Sequence, residues 1–143
     1  MHSSQELEKI PILSLIPQRA PMVMISRVIG YSKNQIHTEF DLDCENIFVT
    51  NDVFSESGML ENIAQTAAAM VGMEARKNRK EVPLGFIGGI NKVKVFAYAA
   101  VASTINTKVE ILQEVFNITL IRGKCFKLDE LLLECEMKIV INP

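Results

Sequence analysis

Between residues 35 and 42 apolar and polar positions alternate strictly, with Ile36, Thr38, Phe40 and Leu42 on one face and Gln35, His37, Glu39 and Asp41 on the other. A period of two marks a strand with one buried face. The turn-forming YSKN just before it joins it in a hairpin to an expected strand over 22–29. From residue 60 the period changes. Leu60, Ile63, Ala64, Ala67, Ala68, Val71 and Ala75 recur at helical spacing, predicting one buried face of a long helix. Ser55 or Ser57 is placed to cap its start, and the positive charges of ARKNRK suit its C-terminus. Strand-like segments follow at 84–96, 104–112, 115–126 and 131–141. The last sets Leu133, Cys135, Met137, Ile139 and Ile141 against Glu134, Glu136 and Lys138. Earlier, 10–16 reads as a short apolar turn or helix stopped by Pro17, Ala20-Pro21 as a second bend, and 43–54 as a loop. One long helix among five or more strands predicts an α+β fold in which an antiparallel sheet wraps the helix.

At 143 residues, 48% of them hydrophobic, the chain suits a single domain over 1–143 with one continuous core. Fifteen Lys and Arg against seventeen Asp and Glu argue against a nucleic-acid groove. Cys44, Cys125 and Cys135 are odd in number and lack CxxC spacing, so reduced thiols are expected, with Cys135 in the core. The polar, acidic start MHSSQELEK and the lack of any bilayer-length apolar stretch predict a soluble cytoplasmic protein with no membrane contact. GxSxG, HExxH, P-loop and dinucleotide glycine patterns are absent, so no metal or cofactor is expected.

The sharpest feature is Glu61, a carboxylate on an otherwise apolar helix. Such a charge is costly unless solvated, paired or used. Its neighbourhood in sequence, IFVTNDVFSESGMLENIAQ, holds no histidine or cysteine and no second acid placed to complete an acid/base pair. A partly exposed helix carboxylate is the plain alternative. Gln65, four residues on, stacks on the same flank, where it can bond Glu61, line a pocket or serve the backbone. His37 falls on the polar face of its strand as a solvated histidine, and His2 lies in a frayed terminus. Neither is a replacement base.

The order of three motifs resembles the hot-dog fold, and within it the 3-hydroxyacyl-acyl carrier protein dehydratases. IPQRAPMVMISRV at 16–28 is similar to that family's LPHRxPxLLxDRV, with Gln18 and Ser26 in place of its His and Asp. ENIAQ at 61–65 resembles EAMAQ on the central helix, whose acid is catalytic, and FIGGINKVKV at 86–95 is similar to FAGIDKARF. The resemblance implies a curved antiparallel sheet around one helix, dimerisation through the strand matched by 85–95, and an acyl tunnel at that interface. Glu61 is the implied catalytic residue. Gln65, Phe54, Met59, Leu60 and Phe86 are the expected walls for an acyl chain. Gly88 and Gly89 would allow close approach of a thioester arm, or equally form a bulge. Arg76, Lys77, Arg79 and Lys80 could meet an acidic carrier protein, although helix-end charges on a solvated face are the commoner case.

The chain departs from the family at a telling place. Counted back from Glu61, the family's GHFPGxPVMPG falls on 46–56, so Ile47 stands where the catalytic His is expected and Glu56 where a glycine N–H would face the thioester oxygen. Elimination in the family divides two tasks between that His and the helix acid. Three readings follow: a dehydratase-like subunit working in a heterodimer with a histidine-bearing paralogue, a hot-dog thioesterase using Glu61 as base, or a non-catalytic acyl-binding scaffold. The implied ligands are fatty acyl or polyketide thioesters on an acyl carrier protein or coenzyme A, bound by a homo-oligomer or that heterodimer.

Overall fold

The computed structural model describes residues 3–142; the expectation for His2 lies outside them. Along the chain run α1 (Ser4–Glu8), a 3-10 turn (Ile12–Ser14), β1 (Arg27–Ser32), β2 (Gln35–Asp41), β3 (Val49–Thr50), β4 (Val53–Phe54), α2 (Glu56–Lys77), β5 (Leu84–Val95), β6 (Thr104–Val115), β7 (Ile118–Lys127) and β8 (Glu130–Asn142). Six strands form one antiparallel sheet in the order β1-β2-β6-β7-β8-β5, and β3 and β4 form a small hairpin. The sheet wraps α2, the arrangement expected from the pattern of elements.

The period-two patterns carry through as written. Ile36, Thr38, Phe40 and Leu42 are buried, as are Leu133, Cys135, Met137 and Ile139 on β8. Against them α2 packs Met59, Ile63, Met70 and Met73. Ser55 is the residue that caps α2, its hydroxyl accepting from Gly58 N at 3.2 Å. Two glycines permit close packing. A Cβ on Gly72 would lie 2.0 Å from the carbonyl oxygen of Leu15, and one on Gly123 would lie 2.3 Å from Ile63. Cys125 and Cys135 are buried free thiols, and burial pushes both up to about 12.

Four expectations are corrected. The first strand begins at Arg27 rather than residue 22, because the backbone of Met22 and Met24 bonds to side chains of α2. Tyr31 and Ser32 belong to β1, leaving only Lys33 and Asn34 for the turn. Residues 43–54 are not all loop. Asn51 and Asp52 take positive φ of 53° and 63° between β3 and β4, a turn for which Asn and Asp are suited. Val115 ends β6 instead of opening the next strand, since the hairpin turns at Phe116 and Asn117.

Candidate active site

The site is assembled where α2 passes the edge strand. Gln65 is fully buried, and its amide is completely used. Its Nε2 donates to Met22 O at 2.6 Å and to Glu61 Oε2 at 2.8 Å, while its Oε1 accepts from Met24 N at 2.6 Å. Asn62 adds a bond from Nδ2 to Met24 O at 2.7 Å. The chain ahead of β1 is thereby stitched to the helix, and the Glu61 carboxylate is held from one side. Burial raises the Glu61 pKa above the ordinary carboxylate value, and the bond from Gln65 opposes that shift in part.

Glu61 opens into a cleft of about 250 Å³. Ala64, Ala68 and Val71 continue the same helix flank along it, Pro17 and Gln18 come from the early bend, and Gly85, Phe86 and Ile87 from β5. The lining holds no histidine, cysteine or second acid. Gln18 was noted in the sequence only as a departure from a motif, yet it shares the cleft, and its Oε1 is shut from solvent with no hydrogen-bond partner among the described residues. A polar residue replacing a motif histidine was the signal for it. The arrangement offers one carboxylate with a raised pKa, able to give or take a proton.

The expected site residues divide. Glu61 and Phe86 meet in the cleft, with Phe86 52% exposed on the edge strand. Gln65 is the carboxylate's partner and lies behind it rather than in the lining. Phe54 and Met59 are fully buried in the core, Phe54 beside Phe40 with ring centroids 5.7 Å apart, so neither lines the cleft. Leu60 packs against the core on a half-buried flank. Gly88 sits at a register shift between β5 and β8, as a bulge would place it, and Gly89 meets nothing within 4 Å. Ile47 is in the loop before β3 and 51% exposed.

His37 differs from the expectation of a solvated side chain. It is half-buried on the outer face of β2, its Nε2 is shut from solvent without a partner among the described residues, and burial, aided by Lys108 opposite, lowers its pKa. It lies on another face of the sheet from the Glu61 cleft and lines a separate pocket with Lys108. No group of three or more His, Cys, Asp or Glu placed to hold a metal exists among the described residues, and no helix among them is long and apolar enough to cross a membrane.

Among solved structures the chain is similar to the dehydratase heterocomplex ApeI:P from Xenorhabdus doucetiae, with a TM-score of 0.87 at 18% identity over 94% of this chain and 92% of that one. It is also similar to a hypothetical thioesterase with coenzyme A from Streptococcus pneumoniae TIGR4, with a TM-score of 0.64 at 4% identity over 91% and 90%. An uncharacterized protein, PH1136 from Pyrococcus horikoshii, scores 0.69 at 12% identity over 93% and 95%. At these identities the likeness is one of fold, the hot-dog fold. No curated protein matches the chain. The family profile described as ApeP dehydratase matches residues 10–141, and with the match spanning the whole sheet and helix, the chain belongs to the ApeP-like dehydratase family.

Proposed function

We propose that this chain is the acid-bearing subunit of a hetero-oligomeric dehydratase that removes water from 3-hydroxyacyl thioesters carried on an acyl carrier protein or coenzyme A. The observation that carries this reading is a single carboxylate, fixed by Gln65, in an apolar cleft beside an exposed edge strand and without a second acid/base group in its lining. Elimination breaks a C–H bond next to the thioester carbonyl and the C–O bond one carbon further, so it needs a base for the first and an acid for the second. Glu61, with its pKa raised by burial, suits the acid that protonates the departing hydroxyl. A histidine from a paralogous subunit docked along β5 would take the other proton. The dehydratase heterocomplex among the structural neighbours supports assembly with a second, different subunit. A cytoplasmic setting is part of this reading, favoured by three cysteines that form no disulfide with one another, Cys44 among them exposed.

Co-expression with a histidine-bearing dehydratase paralogue tests the proposal. The mixed complex is expected to dehydrate a 3-hydroxyacyl thioester, the isolated chain is not, and Glu61→Gln in the complex is expected to lower the rate by at least about 100-fold. Full activity of the Glu61→Gln complex would overturn the assignment.

A second reading is favoured by the same solitary carboxylate, since one general base that activates water suffices for thioester hydrolysis. Release of free thiol from acyl-coenzyme A by the isolated chain, abolished by Glu61→Gln, would select it.

A further inference from the structure

One end of the molecule collects features that the acyl-thioester reading does not use. The β1–β2 turn at Lys33 and Asn34, the end of α2, the start of β5 and the β6–β7 turn at Phe116 and Asn117 all lie at this pole, and Lys33, Asn78, Lys80 and Phe116 border the same open groove. Lys33, Arg76, Lys77, Arg79 and Lys80 are exposed, and none makes an ion pair among the described residues. Against these cations stand Glu74, Glu81 and Glu114, and Glu74 is already engaged by Tyr31 and Asn78. On a chain of net charge -2 this pole is locally basic. Phe116 stands out of it. The side chain is fully exposed, so it contributes nothing to the core, and its φ of 55° is a turn conformation suited to Asn, Asp or Gly and costly for a bulky residue. Neither the turn nor the core accounts for an aromatic ring there. Val115 and Ile118, paired across the hairpin and both exposed, extend the apolar surface onto the strands.

We propose that this pole docks on an anionic lipid surface, with Phe116 entering the headgroup boundary and the surrounding lysines and arginines facing the phosphates. An apolar tip ringed by cations matches both layers of such an interface, one by burial and the other by charge. The tip projects instead of forming a socket, so it fits a soft interface that it can enter; a folded acidic partner would have to offer a pocket for the ring. The expectation of no membrane contact drawn from the sequence rested on the lack of a spanning segment, and a docking tip needs none. Lys77 is roughly 24 Å along α2 from Glu61, so variants at this pole leave the carboxylate untouched. Leu128 provides an internal control. It is likewise strongly exposed, at a φ of 53°, but sits in the β7–β8 turn at the opposite end of the sheet and beside Asp129 and Glu130. An apolar tip next to acids is expected to stay in water.

The chain contains no tryptophan, so Phe116→Trp and Leu128→Trp each place a single fluorescent reporter in the full chain. With vesicles of equimolar phosphatidylcholine and phosphatidylglycerol, the reporter at 116 is expected to emit at shorter wavelength and to be shielded from acrylamide, while the reporter at 128 behaves as in buffer. Lys77→Glu combined with Lys80→Glu is expected to lower partitioning by about tenfold or more, and vesicles of phosphatidylcholine alone should lower it at least as far. Sedimentation of the wild-type chain with the same vesicles gives a readout without any reporter. Phe116→Asn is expected to reduce that sedimentation while raising the melting temperature, since Asn suits the turn. Wild-type sedimentation no greater with anionic than with neutral vesicles overturns the inference. So does an equal response of the two reporters, which marks adsorption without a site. A reporter at 116 shielded by polyglutamate but not by vesicles would assign the pole to an acidic protein and overturn the lipid assignment.

Discussion

Glu61 and Gln65 act as one unit. The carboxylate is half-buried and accepts from an amide that is itself anchored at both ends of the Met22–Met24 backbone. Because its folded-state pKa is raised, the folded protein holds this proton more tightly than the unfolded chain. Stability is therefore undiminished below the unfolded carboxylate value of 4.5 and falls as pH rises through the folded value. Glu61→Gln is expected to melt higher than wild type at pH 8, with the difference vanishing below that unfolded value, as scanning calorimetry across pH would show. Gln65→Leu should behave oppositely. It strands Met24 N in the interior and removes the partner of Met22 O, a loss of about 2 kcal/mol measurable by urea unfolding. It also frees the carboxylate, so activity in the complex should drop further than instability alone accounts for.

At the scale of elements, α2 shows how a helix can be wrapped and still leave an opening. Ile63, Met70 and Met73 are covered by the sheet, and Gly72 lets the backbone at Leu15 cross the helix directly. Gly72→Ala is expected to cost at least about 2 kcal/mol, since a Cβ there meets a carbonyl oxygen with no side chain to move aside. Gly89→Ala, with nothing within 4 Å, should stay within about 0.5 kcal/mol. Chemical denaturation of the pair separates packing from backbone freedom. The contrast also divides the glycines of this chain into those that packing requires and those it does not.

For the whole molecule, the decisive feature is β5. It pairs with β8 on one side only and offers the other edge along Leu84–Val95, with Phe86, Ile87, Ile90 and Val93 all exposed. A long apolar edge left open invites strand pairing with another chain. Pairing there would bring a second subunit against the Glu61 cleft, which Phe86 and Ile87 border. Ile90→Glu combined with Val93→Glu is expected to convert a dimer to a monomer in light scattering without lowering the melting temperature of the monomer by more than a few degrees. A mass unchanged from wild type would exclude this edge as the interface.

The strands with one buried face, the central helix and the burial of Cys135 were legible in the residues, because period two and period 3.6 each express a local rule about which side meets solvent. Glu61 was legible too, since a charge on an apolar helix conflicts with its own surroundings. What the pattern did not contain was distance. Phe54, Met59 and Phe86 are equally apolar in sequence, yet two lie in the core and one borders the cleft. Gln65 and Gln18 are equally amides, yet one is consumed by the backbone and Glu61 while the other borders the carboxylate's cleft with its carbonyl oxygen unpaired among the described residues. Hydrophobic periodicity states that a side chain is covered; only the packing of α2 against strands far away in sequence decides whether protein, an open cleft or a partner's surface lies over it.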